Sequence, residues 1–493
     1  MLYLILALYT LVVGLLFVYG VNFLWLSLVS VLRKDPPVLP ELVDFPHVAV
    51  QLPIYNERYV AERLIRAAAN LTWPRDRLEV QVLDDSTDDT VQIAEQVCRD
   101  LSLQGVWVRH LRRGNRAGFK AGALAHGMAA TDAPYLAVFD ADFVPPTDFL
   151  MRTMAGFLAK DVGFVQTRWG HLNARYSLFT FLQALAIDAH FLVEQQARFA
   201  SGAFFNFNGT AGIWRREAIE SGGGWQADTL TEDLDLSYRV QLAGWRGMFL
   251  RDVVAPAELP VTMVAFRRQQ HRWAKGSIEC ALKLAPRLLR APLPASKKLQ
   301  ALLHLTGYGI HLLMFLLIFL YPAILYFAHG SPRLSGFFRL AVFFNITALA
   351  PIVYFALAQF ELDRRRWWLK IPIILLVTVR GSGMVVNTMV SIVQVILRRK
   401  TAFERTPKFG IQHRGEGWTN KVYQLRGNPL VLAELLLGGV TLRTAAYAAH
   451  LDDWVIFVYA GLLTAGLFMV AGFSLMQAVQ SRFVDRRTAD TYR

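Results

Sequence analysis

PYLAVFDADFVPP, residues 134–146, decides the fold. Tyr135 to Phe139 is a short β-rich apolar run that reads as a buried strand, and Asp140 and Asp142 follow it one residue apart. A buried carboxylate with no counter-charge is costly, so a positive partner is expected beside this pair. Three earlier runs have the same texture. HVAVQLPI (47–54) leads into a helix from Glu57, LEVQVL (78–83) into one from Asp88, and VWVRHL (106–111) into one from Gly118. Strands alternating with helices predict a doubly wound parallel sheet, in which ligands bind beyond the carboxyl ends of the strands.

Around this unit the chain is too apolar for an ordinary soluble protein. Its 493 residues are 54% hydrophobic, with a mean hydropathy of +0.32, which points to membrane spans plus a globular part. The formal net charge is +14. The basic residues cluster beside apolar segments, so they read as cytoplasmic membrane flanks and contacts to anionic lipid or substrate, not to nucleic acid. Cys98 and Cys280 form neither a disulfide framework nor a zinc pattern.

Residues 1–32 are expected to be a transmembrane helix with its N-terminus outside and Arg33 and Lys34 inside; no signal-peptide pattern is visible. Residues 33–46, with four prolines, form a linker, and the globular domain runs over 47–295. Segments 302–328, 337–360, 428–448 and 453–478 are each long enough to span. The apolar region 371–397 is interrupted by RGSG (380–383) and flanked by two basic runs, DRRR (363–366) and RRKTAFERTPK (398–408). Both flanks are cytoplasmic only if 371–397 is an interfacial or re-entrant pair. That leaves two spans plus this pair in 296–397, a cytosolic loop over 398–427, two spans in 428–478, and a cytosolic tail over 479–493.

Several motifs carry candidate chemistry, each with a plainer alternative. Asp140 and Asp142 can share a hard divalent cation that bridges to phosphates, or be solvated turn aspartates. Asp84 and Asp85 in QVLDDSTDD (81–89) can hold a base or ribose, or precede a helix cap at Ser86 or Thr87. In QLPIYNE (51–57), Asn56 is a helix cap or a nucleotide contact. Lys120 in RAGFKAGAL (116–124) sits at a glycine-flanked helix start suited to phosphate, or is a surface lysine. In TLTEDLDLSYRVQLAGW (229–245), Asp233 falls in the first turn of a helix, where the dipole favours acids; it can also be a general base. FRRQQHRWAKG (266–276) offers Arg272 for phosphate and Trp273 for stacking on a sugar, or is a basic membrane flank.

Taken in order, Asp-Asp, D-x-D, T-E-D and Q-x-x-R-W resemble the membrane-integrated family 2 glycosyltransferases: cellulose, chitin and hyaluronan synthases and their relatives, including bacterial cellulose synthase catalytic subunits. QLPIYNE, WPRDRLEVQVLDDSTD, GFKAGAL, FDADF, FFNFNGTAGIWR, TEDLDL, YRVQLAGW and QQHRW are similar to the plant cellulose-synthase-like A group, mannan and glucomannan synthases. The likeness covers most of residues 47–276. TAFERTPK (401–408) resembles the gating loop of cellulose synthases, aligning Phe403, Thr406 and Lys408, but carries Arg405 where those enzymes have an apolar residue.

The resemblance implies an α/β GT-A (Rossmann-like) cytosolic domain inserted between α-helical transmembrane segments. It implies Asp233 as catalytic base. Tyr55, Glu57, Asp84, Asp85, Lys120, Asp140, Gln269 and Arg272 would bind the nucleotide sugar. Phe207, Asn208, Gly209, Thr210, Glu232 and Trp273 would bind the acceptor, within a stretch running to Gly212. Asp140 and Asp142 would hold Mg²⁺ or Mn²⁺. The implied reaction is an inverting transfer from GDP-mannose or UDP-glucose to a growing β-linked polysaccharide at the cell (plasma) membrane. The alternative is single transfer to a membrane lipid. Implied partners are the nucleotide sugar, a carbohydrate or lipid-linked acceptor, membrane lipids and an unspecified export partner, with no nucleic acid. A nucleotide-sensing transporter or receptor would make the acids incidental; a glycosidase also uses paired carboxylates but does not explain the basic, phosphate-type partners.

Overall fold

The computed structural model describes residues 2–32, 39–327, 346–399, 404–419, 421 and 429–491. The alternating runs form β1 (Val48–Ile54), β2 (Leu78–Asp84), β3 (Val108–Arg112) and β4 (Tyr135–Val138). Helices Ala61–Ala69, Thr90–Leu103 and Phe119–Ala129 connect them. β1 pairs in parallel with β2 and β4, and β3 pairs in parallel with β2. Because side chains alternate along a strand, β1 feeds two cores. Val48, Val50, Leu52 and Ile54 pack with Leu64, Ile65, Val97 and Leu101; Ala49 turns the other way, towards Ala123 and Leu124.

Three further strands complete the sheet: β5 (Val162–His171), β6 (Gly212–Arg215) and β7 (Arg246–Ala257). The order is β3-β2-β1-β4-β6-β5-β7. β6 runs antiparallel to both β4 and β5, while β5 and β7 are parallel. The sheet is therefore mixed, where the sequence pattern predicts a parallel one. The first half is doubly wound as expected, with the carboxyl ends of β1, β2 and β4 at one edge.

Among the described residues, five helical stretches are long and apolar enough to cross a membrane: Leu2–Leu32, Gly309–Phe327, Trp367–Ile396, Leu430–His450 and Trp454–Gln480. This set differs from the expected one. Of 337–360, residues 337–345 lie outside the described residues, and the rest forms a turn and the 13-residue helix Ala350–Leu362. RGSG (380–383) closes the first of the two short helices into which 371–397 divides. Helices Ile371–Gly383 and Val385–Ile396 follow each other across Met384, and the small residues serve packing. A Cβ on Gly383 would lie 2.0 Å from the Gly466 carbonyl oxygen, and Ser382 Oγ donates to the Leu462 carbonyl at 3.1 Å. Glycines at such a crossing let two helices approach closely. Both ends of the stretch are tied to the globular region: Glu361 pairs with Arg251 at 2.8 Å, and the Arg399 carbonyl accepts from Lys275 at 2.6 Å.

Candidate active site

Asp140 and Asp142 emerge from the end of β4, and the positive partners the sequence demands are two lysines. Lys120 Nζ lies 2.5 Å from Asp140 Oδ1, donates to the Gly209 carbonyl at 2.8 Å, and is 3.9 Å from Glu232 Oε1. Lys408 Nζ lies 2.5 Å from Asp142 Oδ2 and donates to the Glu258 carbonyl at 2.7 Å. The Asp140 N–H donates to Thr210 Oγ1 at 2.8 Å, which fixes the turn after the strand. Two acids that each draw a cation from a distant element form a local anionic focus, the donor chemistry a hard divalent ion requires. Among the described residues no group of three or more His, Cys, Asp or Glu could hold a metal. Two carboxylates are oxygen donors of the kind Mg²⁺-type ions take, with water and phosphate oxygens completing the shell.

The acids at the end of β2 are not equivalent. Asp84 is buried, its Oδ1 accepting the Ser86 N–H at 2.8 Å and its Oδ2 2.9 Å from His110 Nε2. Burial raises its pKa, but these hydrogen bonds outweigh burial and hold it below the usual carboxylate range. Expected to contact a nucleoside, Asp84 is consumed inside the fold. Asp85 lines the cleft, gripped by both Arg113 Nε at 2.9 Å and Arg113 Nη2. Asn56 caps no helix: at φ 54° its amide oxygen accepts the Thr87 N–H at 2.8 Å and its own N–H donates to Ser86 Oγ at 2.8 Å, tying two strand ends together.

Helix Glu232–Leu242 presents Glu232 and Asp233 to the same cleft. The Leu234 N–H donates to Asp233 Oδ1 at 2.9 Å. Burial, then the neighbouring Glu232 charge, raises Asp233 well above the ordinary aspartate range, against Lys120 and Arg272. Such a carboxylate is poised to take a proton near neutral pH. Burial likewise pushes Glu57 up to about 8, opposed chiefly by Arg405, whose Nη1 is 3.7 Å away.

Gln269, Arg272 and Trp273 reach the cleft from helix Met263–Arg290, whose first turn is capped by Thr262 accepting the Ala265 N–H at 3.3 Å. One turn earlier, Arg267 points away into a buried pair with Glu434 at the start of Leu430–His450, Nη2 to Oε2 at 2.6 Å. Of the expected acceptor residues, Asn208 and Gly209 line the cleft. Phe207 and Thr210 do not. Phe207 is fully buried against Phe164 and Trp214, and Thr210 acts through Asp140. Gly212 belongs to β6. Tyr55, Glu57, Thr406 and Lys408 line the cleft, as does Arg405; Phe403 lies outside the described residues.

The enclosed space is about 140 Å³. Sites for drug-sized ligands occupy roughly 300–1,000 Å³, and the segment 405–408 narrows this one. Sequence reasoning missed Arg113, Arg116, Phe119, Trp169 and Glu258. Arg116 and Phe119 flank the recognised Lys120, and that proximity was the available signal.

Comparisons with known proteins bear on the domain that carries this cleft. Residues 46–276 match the model described as "Glycosyltransferase like family 2". A probable glucomannan 4-beta-mannosyltransferase 9 of Oryza sativa subsp. japonica is 47% identical over 246 residues, covering 48% of this chain and 47% of the relative. Glucomannan 4-beta-mannosyltransferase 2 of Arabidopsis thaliana is 44% identical over 252 residues, covering 50% of this chain and 47% of the relative. The chain thus spans about half the length of the curated relatives it matches. In fold it is similar to a mannosyltransferase of Pyrobaculum calidifontis solved with GDP-mannose and Mn²⁺, with TM-score 0.50 and 21% identity, covering 73% of this chain and 99% of that one.

Proposed function

We propose, from the premise that residues 46–276 are a family 2 glycosyltransferase domain of GT-A type, that the chain is a membrane-integrated, inverting hexosyltransferase extending a β-linked polysaccharide. The observation that carries this is the convergence of Asp233, Lys120, Arg272, Trp273 and the Asp140/Asp142 pair on one cleft at the strand ends. The donor is a nucleotide hexose, GDP-mannose or UDP-glucose. The names of the plant relatives and the GDP-mannose bound by the archaeal neighbour support the first.

In this reading the nucleotide lies along the edge formed by Tyr55 and Asp85, with Lys120 and Arg272 facing the diphosphate. Asp140 and Asp142 would hold Mg²⁺ or Mn²⁺, which when bound supplies charge neutralisation to that diphosphate. Trp273 stacks the acceptor sugar and Asn208 flanks it. Asp233 takes the proton of the acceptor hydroxyl as that oxygen attacks the anomeric carbon from the face opposite the departing diphosphate. An α-linked donor gives a β-linked product. The domain faces the cytosol, with the chain in the cell membrane and membrane lipids around its helices.

The test offers labelled GDP-mannose and UDP-glucose separately to the detergent-purified chain with Mn²⁺. Label is expected in insoluble polymer that a β-mannanase or β-glucanase digests. Label confined to an organic extract would replace polymer synthesis with glycosylation of a membrane lipid. The Asp233→Asn variant should bind nucleotide normally and lose about 10²–10⁴-fold in turnover; unchanged turnover would refute the base.

A further inference from the structure

Arg116 has no role in the reading above, yet it stands at the nucleotide end of the cleft. Its guanidinium carbon lies 3.4 Å from the centroid of the Tyr55 ring and 5.0 Å from that of Phe119. The first distance is close to the roughly 3.4 Å spacing of stacked bases. Among the described residues the guanidinium makes no hydrogen bond or salt bridge, in contrast to its neighbour Arg113, which grips Asp85 and donates to the Ala117 and Phe119 carbonyls at 2.8 and 3.0 Å. Two arginines three residues apart therefore have opposite conditions. Arg113 is locked in place, and Arg116 is held by ring contacts alone.

Arg116 is half-buried and sits within electrostatic reach of Asp85 and Arg405. The backbone beneath it is shaped for display. Asn115 Oδ1 accepts the Ala117 N–H at 3.0 Å, and Gly118 and Phe119 follow with positive φ of 67° and 48°. The turn projects Arg116 over Tyr55 and then starts the helix that carries Lys120 towards Asp140.

We infer that Arg116 is a nucleobase clamp: a planar cation that covers the Tyr55 face while the cleft is empty and closes over the outer face of the donor's base when it is filled. This rests on the donor-site reading above. A guanidinium stacks on aromatic faces without needing a particular edge pattern, and base stacking tolerates any base. Tyr55 supplies one slice, Arg116 the other, and Asp85 stands beside them to accept a base N–H. Because a larger ring system offers more stacking area, the clamp contributes more to a purine nucleotide than to a pyrimidine one.

The experiment measures binding of GDP, UDP and inorganic pyrophosphate, each with Mn²⁺, to the full detergent-purified chain by calorimetry. Wild type is compared with Arg116→Ala, Arg116→Lys and Arg116→Gln. Arg116→Ala should weaken GDP by about 5- to 150-fold, the range for losing one stacking contact, and UDP by less. Pyrophosphate should be unaffected, because Arg116 touches the base and not the phosphates. Arg116→Lys, which restores charge without the plane, should not rescue; Arg116→Gln, flat but neutral, should recover part of the loss. The inference is overturned by GDP binding that survives Arg116→Ala, by an equal loss for pyrophosphate, or by full rescue with lysine. Wild-type chain that binds neither nucleotide would overturn the donor-site reading itself, and the clamp with it.

Discussion

Lys408 Nζ lies 2.5 Å from Asp142 Oδ2, a contact between residues 266 positions apart. The loop that precedes the helix Leu430–His450 thereby neutralises the second acid of the D-x-D motif. Lysine and a divalent ion would compete for the same carboxylate. Lys408→Met should therefore lower the Mn²⁺ concentration needed for half-maximal binding by about ten-fold, the worth of a modest buried ion pair. Turnover should fall, because the loop loses its seat on the cleft. Titration calorimetry with Mn²⁺ alone, compared with steady-state rates, separates the two effects; an unchanged Mn²⁺ affinity would show that Lys408 does not oppose the ion.

If Asp233 is the proposed base, its raised pKa should set the pH profile. The base acts only when ionised, so kcat/KM should fall as pH drops through its folded pKa. That acid limb should lie well above the pH of about 4 at which an ordinary aspartate titrates. Glu232 contributes to the rise by charge repulsion. Glu232→Gln removes the repulsion, lowers the Asp233 pKa, and should move the acid limb towards lower pH by about one unit. A limb that stays in place would assign it to another group.

Gly209 sits at φ 80°, and a Cβ added there would lie 2.8 Å from Asp233 Oδ2 and 3.4 Å from Lys120 Nζ. Gly209→Ala thus combines a left-handed backbone penalty of roughly 1–2 kcal/mol with a push on the base itself. The expected result is a fall in kcat of at least ten-fold in protein that still unfolds cooperatively. Wild-type kcat would mean that the base tolerates displacement.

The Arg267–Glu434 pair fastens the helix bearing Gln269, Arg272 and Trp273 to Leu430–His450, and both side chains are buried. Removing one partner leaves a buried charge without compensation. Arg267→Ala and Glu434→Ala should each destabilise by about 3–5 kcal/mol, whereas the double change Arg267→Met with Glu434→Leu should recover most of the loss. Thermal unfolding in detergent reads both. Equal losses in the single and double variants would show that the pair carries no coupling.

The part of the fold that could be read in advance is the part with regular alternation. β1 to β4 are apolar runs bounded by turn residues, and each is followed by a helix pattern. β5 and β7 break that pattern: Gln166 and Thr167 are buried polar residues inside β5, and β7 carries Arg251, Asp252 and Pro256. Only tertiary bonds justify them, such as the Gln166 amide donating to the Thr210 and Ala211 carbonyls at 3.1 Å. β6 is four residues long and begins with a glycine. The site divides the same way. Acids placed directly after strands announce themselves, because a strand end in such a sheet is where ligands bind. Their counter-charges do not, because Lys120 lies 20 residues from Asp140 and Lys408 lies 266 residues from Asp142. Spacing alone also could not tell the Asp84 side chain, spent on Ser86 and His110, from Asp85, which lines the cleft.

The matched family model ends at residue 276, but the wall of the cleft does not. Arg405, Thr406 and Lys408 close it, and Glu258 at the far end of the sheet domain is pinned by the Phe409 N–H at 2.9 Å. A fragment cut to residues 46–276 would retain the acids of the cleft together with Lys120, but forfeit Lys408 and Arg405, which face Asp142 and Glu57. Grafting that domain onto a different membrane anchor would therefore yield an over-negative, lidless basin. The smallest transplantable unit is the domain together with the segment that returns to it from between the later helices.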